Sequence, residues 1–402
     1  MSGKKEFSSK FGFLMTSVGA AVGLGNIWGF PYRVCRGGGF VFIAVYCGFV
    51  LLIGVPLMHA ELKLGRAFRT TPIMAYKLAG GSFAGYIGLA ACFIVLSYYF
   101  HFGGMILREI ALNCGVKVDN ELFWHVLFAA ISIFIVLSGV NGGVEKCSKI
   151  MVPALIAVLG ILAVYALTSS EDRKAIEFLF VPDTGRFNAD TIKSALGQAL
   201  FSLSLGQCIM VTFGAYLKKD ESLVKYVLAI PFLDTFVALL ASLVVIPLVF
   251  KTGSSISNGP TLLFETLPVA FRSIKGGKIL SLAFFIPVLF AAITSAISLL
   301  DVPASAISEE KGISRKKACI YVALPALLLG LPLCVSIRFF ALYETVSEKI
   351  LMTSCSLITC LLFITRKRNS LPELAPKGKA ERLFTFILRF VTPAILLLST
   401  LI

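Results

Sequence analysis

Phe40–Met58 reads FVFIAVYCGFVLLIGVPLM and Ile279–Leu300 reads ILSLAFFIPVLFAAITSAISLL, neither with a single charge. A helix needs roughly 20 such residues to cross a bilayer. Blocks of this kind recur from end to end, so the chain is predicted to be a polytopic membrane protein. Composition agrees: of 402 residues, 57% are hydrophobic and 15% charged, against about 45–50% and 25% in soluble domains.

The net charge of +15 would suit a nucleic-acid binder if it were clustered in a polar domain. Instead KKEFSSK, ELKLGRAFR, EKCSK, LKKDESLVK, EEKGISRKK and RKRNSLPELAPKGKAER fall at alternate breaks between apolar blocks and carry more than half of the 37 Lys and Arg. That is the positive-inside pattern, and it predicts a cytoplasmic N-terminus and no nucleic-acid partner. No cleavable signal is expected. The ten cysteines are mostly isolated in apolar blocks, and the three histidines, His59, His101 and His125, are far apart in sequence. Neither a disulfide framework nor a transition-metal site is expected from that spacing.

Eleven spans are predicted, at 11–33, 39–61, 85–113, 121–139, 149–169, 191–217, 225–250, 279–306, 318–337, 340–365 and 384–401. Two of them are interrupted. The first carries VGAAVGLGNIWGFPYR (Val18–Arg33) and the sixth carries FSLSLGQC (Phe201–Cys208). GLGN resembles half of a dinucleotide fingerprint, but no strand precedes it. The breaks lie five spans apart. Helices 1–5 and 6–10 therefore read as two repeats, approximately 11–169 and 191–365, with opposite orientations because five is odd. An extra helix at 384–401 follows. The expected fold is an all-α, single-domain polytopic protein over residues 1–402. Paired interrupted helices in matching positions point to a transporter's central site. Unpaired backbone is tolerated there only because it lines a buried or wet cavity. Its carbonyls suit a cation, and a half-helix N-terminus suits a carboxylate.

GAAVGLGNIWGFPY, GVPLMHAELKLGR and FSLSLG together resemble the neurotransmitter:sodium symporter family, most of all its eleven-helix bacterial amino-acid transporters. The resemblance covers nearly the whole chain from about Phe7. It implies sodium-coupled alternating access, with import of an amino acid across a bacterial inner membrane. It implies two sodium ions, one held by the carbonyls of Gly19 and Val22 with Ala291, Thr294 and Ser295, the other by Ala21, Asn26, Ser202 and Asp234. The substrate's carboxylate would meet Leu24, Gly25 and Tyr99. Its amino group would meet Ala21, Phe201 and Ser202, with Ser204 nearby. Val95, Tyr99, Phe201, Gln207, Ser295 and Leu299 would line the side-chain pocket, with Phe201 as lid. Animal members have a neutral residue where Asp234 stands and use chloride; the resemblance therefore implies chloride independence here. An intramembrane carboxylate is by default functional.

Three departures stand out. The family usually has arginine at the position of Gly29, paired with a helix 10 carboxylate, for which Glu344 is the match; either another cation such as Arg33 or Lys349 replaces it, or the gate closes without an ion pair. Helix 6 usually breaks at Gly-x-Gly, but here the motif is GQC. Gln207 and Cys208 point to a small or polar amino acid rather than a bulky aromatic one. At the inner gate Phe7 stands where tryptophan is common, with Lys4 or Lys5 beside it, Glu309 after helix 8 and Tyr216 in helix 6. The expected partners are an amino acid, sodium and lipid, with the chain a monomer or weak dimer. A non-transporting amino-acid sensor, or a symporter of another small solute, is the rival reading. No nucleophile–base pair suggests an enzyme.

Overall fold

The computed structural model describes residues 6–169, 173–183, 185, 187–218, 221–252, 261–364 and 372–401. The expected Lys4 and Lys5 contacts lie outside these residues. The described residues form helices and connecting turns: α1 (Lys10–Ala21), α2 (Gly25–Arg36), α3 (Phe40–Phe68), α4 (Pro72–Ala79), α5 (Ser82–Asn113), α6 (Glu121–Leu137), α7 (Val140–Thr168), α8 (Arg173–Phe180), α9 (Ala189–Ser202), α10 (Ile209–Tyr216), α11 (Leu223–Lys251), α12 (Leu267–Arg272), α13 (Gly277–Lys311), α14 (Arg315–Val335), α15 (Ile337–Ile364) and α16 (Lys379–Leu401). Seven of these are long and apolar enough to cross a membrane, and the bent pair α1–α2 makes an eighth. The other three expected spans are also helical: α6 is shorter, α9–α10 is interrupted, and α16 begins with charged residues. The fold is thus the expected five-plus-five inverted core, with broken helices first in each set and one helix added.

Helix starts follow from local chemistry. The side chains of Ser9, Thr71, Asn120, Asn188 and Ser314 each accept a first-turn N–H, and Pro72 follows Thr71 at a position where no N–H is needed. The boundary that departs furthest from expectation is the start of the fifth span. The fifth span, predicted from 149, begins at Val140 with a π-helical turn through Glu145. Polar VNGGVE is helical there because Glu145 is buried, paired with Lys149 at 2.7 Å and with Ser8 Oγ at 2.5 Å.

Small residues allow the closest packing. A Cβ on Gly65 would lie 1.8 Å from the Val211 carbonyl oxygen, and one on Gly214 would lie 2.3 Å from that of Leu62. Helices α3 and α10 therefore cross backbone to backbone, as small residues permit in membranes. Gly65→Ala forces them apart at a cost of about 1–3 kcal/mol. A melting temperature lowered by several degrees in detergent is expected; an unchanged one would mean the helices do not touch there. The added helix α16 is tied to the core by Lys63 Nζ, 2.5 Å from Glu381, and by Thr392 Oγ1 donating to the Leu52 carbonyl at 3.0 Å.

Candidate functional site

The first break opens after Ala21, where Val22 turns to an extended ψ of 100°, and the two half-helices meet at 55°. The second runs from Leu203 to Cys208 between α9 and α10. Ser204, Gly206 and Cys208 have φ of 53°, 72° and 63°. That left-handed backbone is unfavourable for residues bearing a Cβ, which are found there mainly at functional positions. Cys208 thus adopts a conformation ordinarily left to glycine. Its thiol occupies space opposite Gly88, where a Cβ would come within 2.5 Å of the sulfur. Glu61 holds the unwound segment by accepting the Gly206 N–H at 2.8 Å.

Two clusters of hard oxygens sit at the first break. In one, Ser295 Oγ lies 3.2 Å from the carbonyl oxygens of both Gly19 and Val22. Thr294 Oγ1, on the same helix, is 3.2 Å from the Ala291 carbonyl. Ser295 thus joins Gly19 and Val22, and a Cβ on Gly19 would come within 3.0 Å of Thr294. The Thr294 bond to Ala291 lies within one helical turn, and Thr294 also back-bonds to Phe290 at 2.9 Å, as serine and threonine do in apolar helices. In the other cluster Asp234, fully buried, receives three donors: Asn26 Nδ2 at 2.8 Å, Ser202 Oγ at 2.6 Å and Tyr46 OH at 3.2 Å. Nothing in the sequence singles out Tyr46 for this place. Asn26 Oδ1 accepts the Gly23 N–H at 3.0 Å. The amide orientation follows from these bonds. Carboxylate, hydroxyl and carbonyl oxygens are a donor set for a small hard cation, and both clusters could hold sodium, although Asn26 turns its NH2 rather than its oxygen toward Asp234 and would join such a set only by turning its amide over.

Between the clusters lies a small cavity lined by Ala21, Gly25, Val95, Tyr99, Phe201 and Gln207, together with Ser204, Ser295 and Leu299. Leu24 instead faces a second cavity, and its N–H donates to Tyr99 OH at 3.3 Å. Ser202 turns toward Asp234. Ser204 Oγ donates to the Ala20 carbonyl at 2.8 Å. Gln207 donates to Met352 Sδ at 3.3 Å and leaves its own carbonyl oxygen buried without a partner among the described atoms. Gly25, Tyr99 and Phe201 border both cavities. A Cβ on Gly25 would touch the Phe201 ring at 2.5 Å, so that ring closes directly over the backbone.

The second cavity ends at an ion cluster. Arg33 donates to Glu344 at 3.2 Å, approaches Glu348 at 4.0 Å, and bonds closely to Gln198. Gln198 in turn donates to the Gly25 carbonyl at 3.1 Å. A Cβ on Gly29 would lie 3.2 Å from Arg33 Nη1. The guanidinium of Arg33 thus reaches back one turn to occupy the space beside Gly29, and Arg33 rather than Lys349 is the cation that meets Glu344. On the other face Phe7 packs edge-on against Phe13, Phe213 and Tyr216, with centroids 5.4, 5.8 and 6.0 Å apart. Glu309 is exposed, and among the described residues the N-terminal segment is fastened by Glu6, which pairs with Arg69 at 2.8 Å, and by Ser8, which bonds Glu145. Glu145 and Arg69 give no signal along the chain because each sits in a polar stretch that reads as loop. The fold brings together histidines that are distant in sequence. His101 and His125 have ring centroids 6.3 Å apart, and Cys334 joins them.

A helical bundle whose two matched breaks enclose an occluded cavity and two hard-oxygen clusters is a secondary transporter, with binding rather than covalent chemistry at its centre. The family model described as Sodium:neurotransmitter symporter family matches residues 4–124 and 107–402. The chain belongs to that family, and it is a sodium-dependent transporter rather than an enzyme. It is 32% identical to the uncharacterized sodium-dependent transporter YhdH of Bacillus subtilis, over 96% of this chain and 95% of that protein. Identity to the bovine sodium-dependent neutral amino acid transporter B(0)AT2 is 24%, over 60% of this chain and 40% of the relative. The crystal structure of MhsT in complex with L-phenylalanine superposes with a TM-score of 0.90 at 33% identity, covering 99% of each chain.

Proposed function

We propose that this protein imports an amino acid with sodium across a bacterial inner membrane, its N-terminus cytoplasmic and residues 1–402 acting as one domain. The observation that carries this is the adjacency of the Asp234 cluster and the Gly25–Tyr99–Phe201 cavity, which share the first break. The N–H groups of Leu24 and Gly25 and the Tyr99 hydroxyl, to which the Leu24 N–H now donates at 3.3 Å, would turn to the substrate carboxylate, which would complete the shell of the sodium at Ala21, Asn26, Ser202 and Asp234. Each ligand then raises the other's affinity by the same factor. The second sodium sits at Gly19, Val22, Ala291, Thr294 and Ser295 and ties α1 to α13. Ala21, Phe201 and Ser202 offer carbonyls to the amino group. The amino-acid names of a curated relative and of the MhsT complex support the substrate class. The unpartnered Gln207 oxygen in the cavity favours a small or polar side chain.

Proteoliposomes test this with a labelled mixture of the twenty amino acids under an inward sodium gradient, or with potassium in its place. Sodium-dependent accumulation is expected, and unlabelled competitors then identify the substrate. Uptake should be indifferent to replacing chloride by gluconate, because Asp234 already supplies a fixed negative charge beside the ion. Binding in sodium without accumulation would establish a sensor instead.

A further inference from the structure

His101 on α5, His125 on α6 and Cys334 in the last turn of α14 each offer one ligand atom, and the three atoms lie within 4.8 Å of one another. Cys334 Sγ is 3.5 Å from His101 Nδ1. Both histidines are buried, with 3% and 0% of their surface exposed, whereas Cys334 is half-buried and gives a way in. The His125 Nε2 lies 3.0 Å from the Leu327 carbonyl oxygen and carries the proton, while Nδ1 is buried without a well-formed hydrogen bond, the backbone of Phe100 being a second polar neighbour of the ring. A carbonyl that orients one ring nitrogen while leaving the other free is how metal-binding histidines are prepared. Gly330 makes room for this ring on α14: a Cβ there would meet His125 Cε1 at 2.7 Å. None of the three residues lines either cavity, although the His101 ring packs 5.4 Å from that of Phe102, which borders the second.

We propose that His101, His125 and Cys334 form a zinc site that clamps α5, α6 and α14. Two imidazoles and a thiolate are borderline ligands, poorly suited to sodium, magnesium or calcium and well suited to Zn2+. Ligand atoms sit ~2.0–2.3 Å from zinc in tetrahedral sites, so the three groups need only a modest inward rotation, and water takes the fourth position. The Cys334 thiol gives up its proton to solvent as the Zn–S bond forms, so binding weakens in acid. His101 lies two residues from Tyr99 on α5, and the clamp therefore fixes the helix that carries a cavity residue.

The test uses the full-length protein in detergent, stripped with a chelator and titrated with Zn2+ alone. One bound ion per chain and a melting temperature that rises with the logarithm of free Zn2+ are expected, since only the folded state holds the site. Co2+ in place of Zn2+ should give a thiolate charge-transfer band. Both signals should vanish in Cys334→Ser and weaken at least tenfold in His101→Gln, with sodium-dependent binding of the amino acid retained. His125 also bonds α14, so its loss could unfold the protein, and Cys334→Ser is the deciding variant. Absence of the Co2+ band, or its persistence in Cys334→Ser through one of the other nine cysteines, would overturn the proposal.

Discussion

Asp234→Asn is expected to cut sodium-driven accumulation by about 30-fold to several-thousand-fold. The carboxylate is fully buried and accepts from Asn26, Ser202 and Tyr46. Losing one partner of a buried, hydrogen-bonded charge pair costs about 2–5 kcal/mol, and each 1.4 kcal/mol is a factor of ten in affinity. Asparagine has nearly the same shape, so cavity effects are small. It presents an NH2 group, however, to donors that need an acceptor, and it removes the charge that balances the cation. The sodium dependence of substrate binding to the purified variant should shift in proportion, while its elution as a folded monodisperse species should not change. Chloride supplies a second readout. With the fixed charge removed, chloride should restore part of the variant's uptake, and gluconate should not. Wild-type uptake in gluconate by the Asp234→Asn protein would remove this residue from the ion site altogether.

The residues gathered around Asp234 and at the first break are largely legible in the sequence, for a physical reason. Glycine clusters, an asparagine and a carboxylate are costly inside lipid, so each marks a place where backbone or charge meets something other than hydrocarbon. Gly19, Asn26, Ser202 and Asp234 are visible on those grounds together with the family resemblance. What is not legible is set by three-dimensional proximity. Tyr46 reads as an ordinary aromatic of an apolar helix, yet its hydroxyl reaches Asp234. Glu145 reads as a loop charge beside Gly142 and Gly143, yet it is buried under α1 against Ser8. His101, His125 and Cys334 belong to three helices, and no spacing along the chain can bring them together. Span ends differ from expectation where a π turn carries polar residues into the helix, as at Val140.

Arg33→Ala is expected to reduce accumulation by about 10- to 150-fold while leaving exchange of pre-loaded substrate closer to normal. The guanidinium bridges Gln198, Glu344 and Glu348, and hydrogen bonds to charged groups contribute about 1.5–3 kcal/mol each, which converts to that range. Truncation also removes the cation that links α2 to the neighbouring carboxylates Glu344 and Glu348 of α15 across the cavity mouth, which favours the open state. An open mouth lets substrate escape before the bundle turns over, so net transport falls more than binding does. The relocation of the cation predicts a specific rescue. Gly29 is adjacent to the Arg33 guanidinium, with only 3.2 Å between a Cβ placed there and Nη1. Gly29→Arg alone should therefore be harmful, because two guanidinium groups would compete for one space. In the double variant Gly29→Arg/Arg33→Ala the space is vacated, and an arginine one turn earlier can reach the same carboxylates. Accumulation should recover at least partly above the Arg33→Ala level. Purely additive losses in the double variant, measured as sodium-driven uptake in the same vesicles, would show that Arg33 acts through something other than its charge at that place.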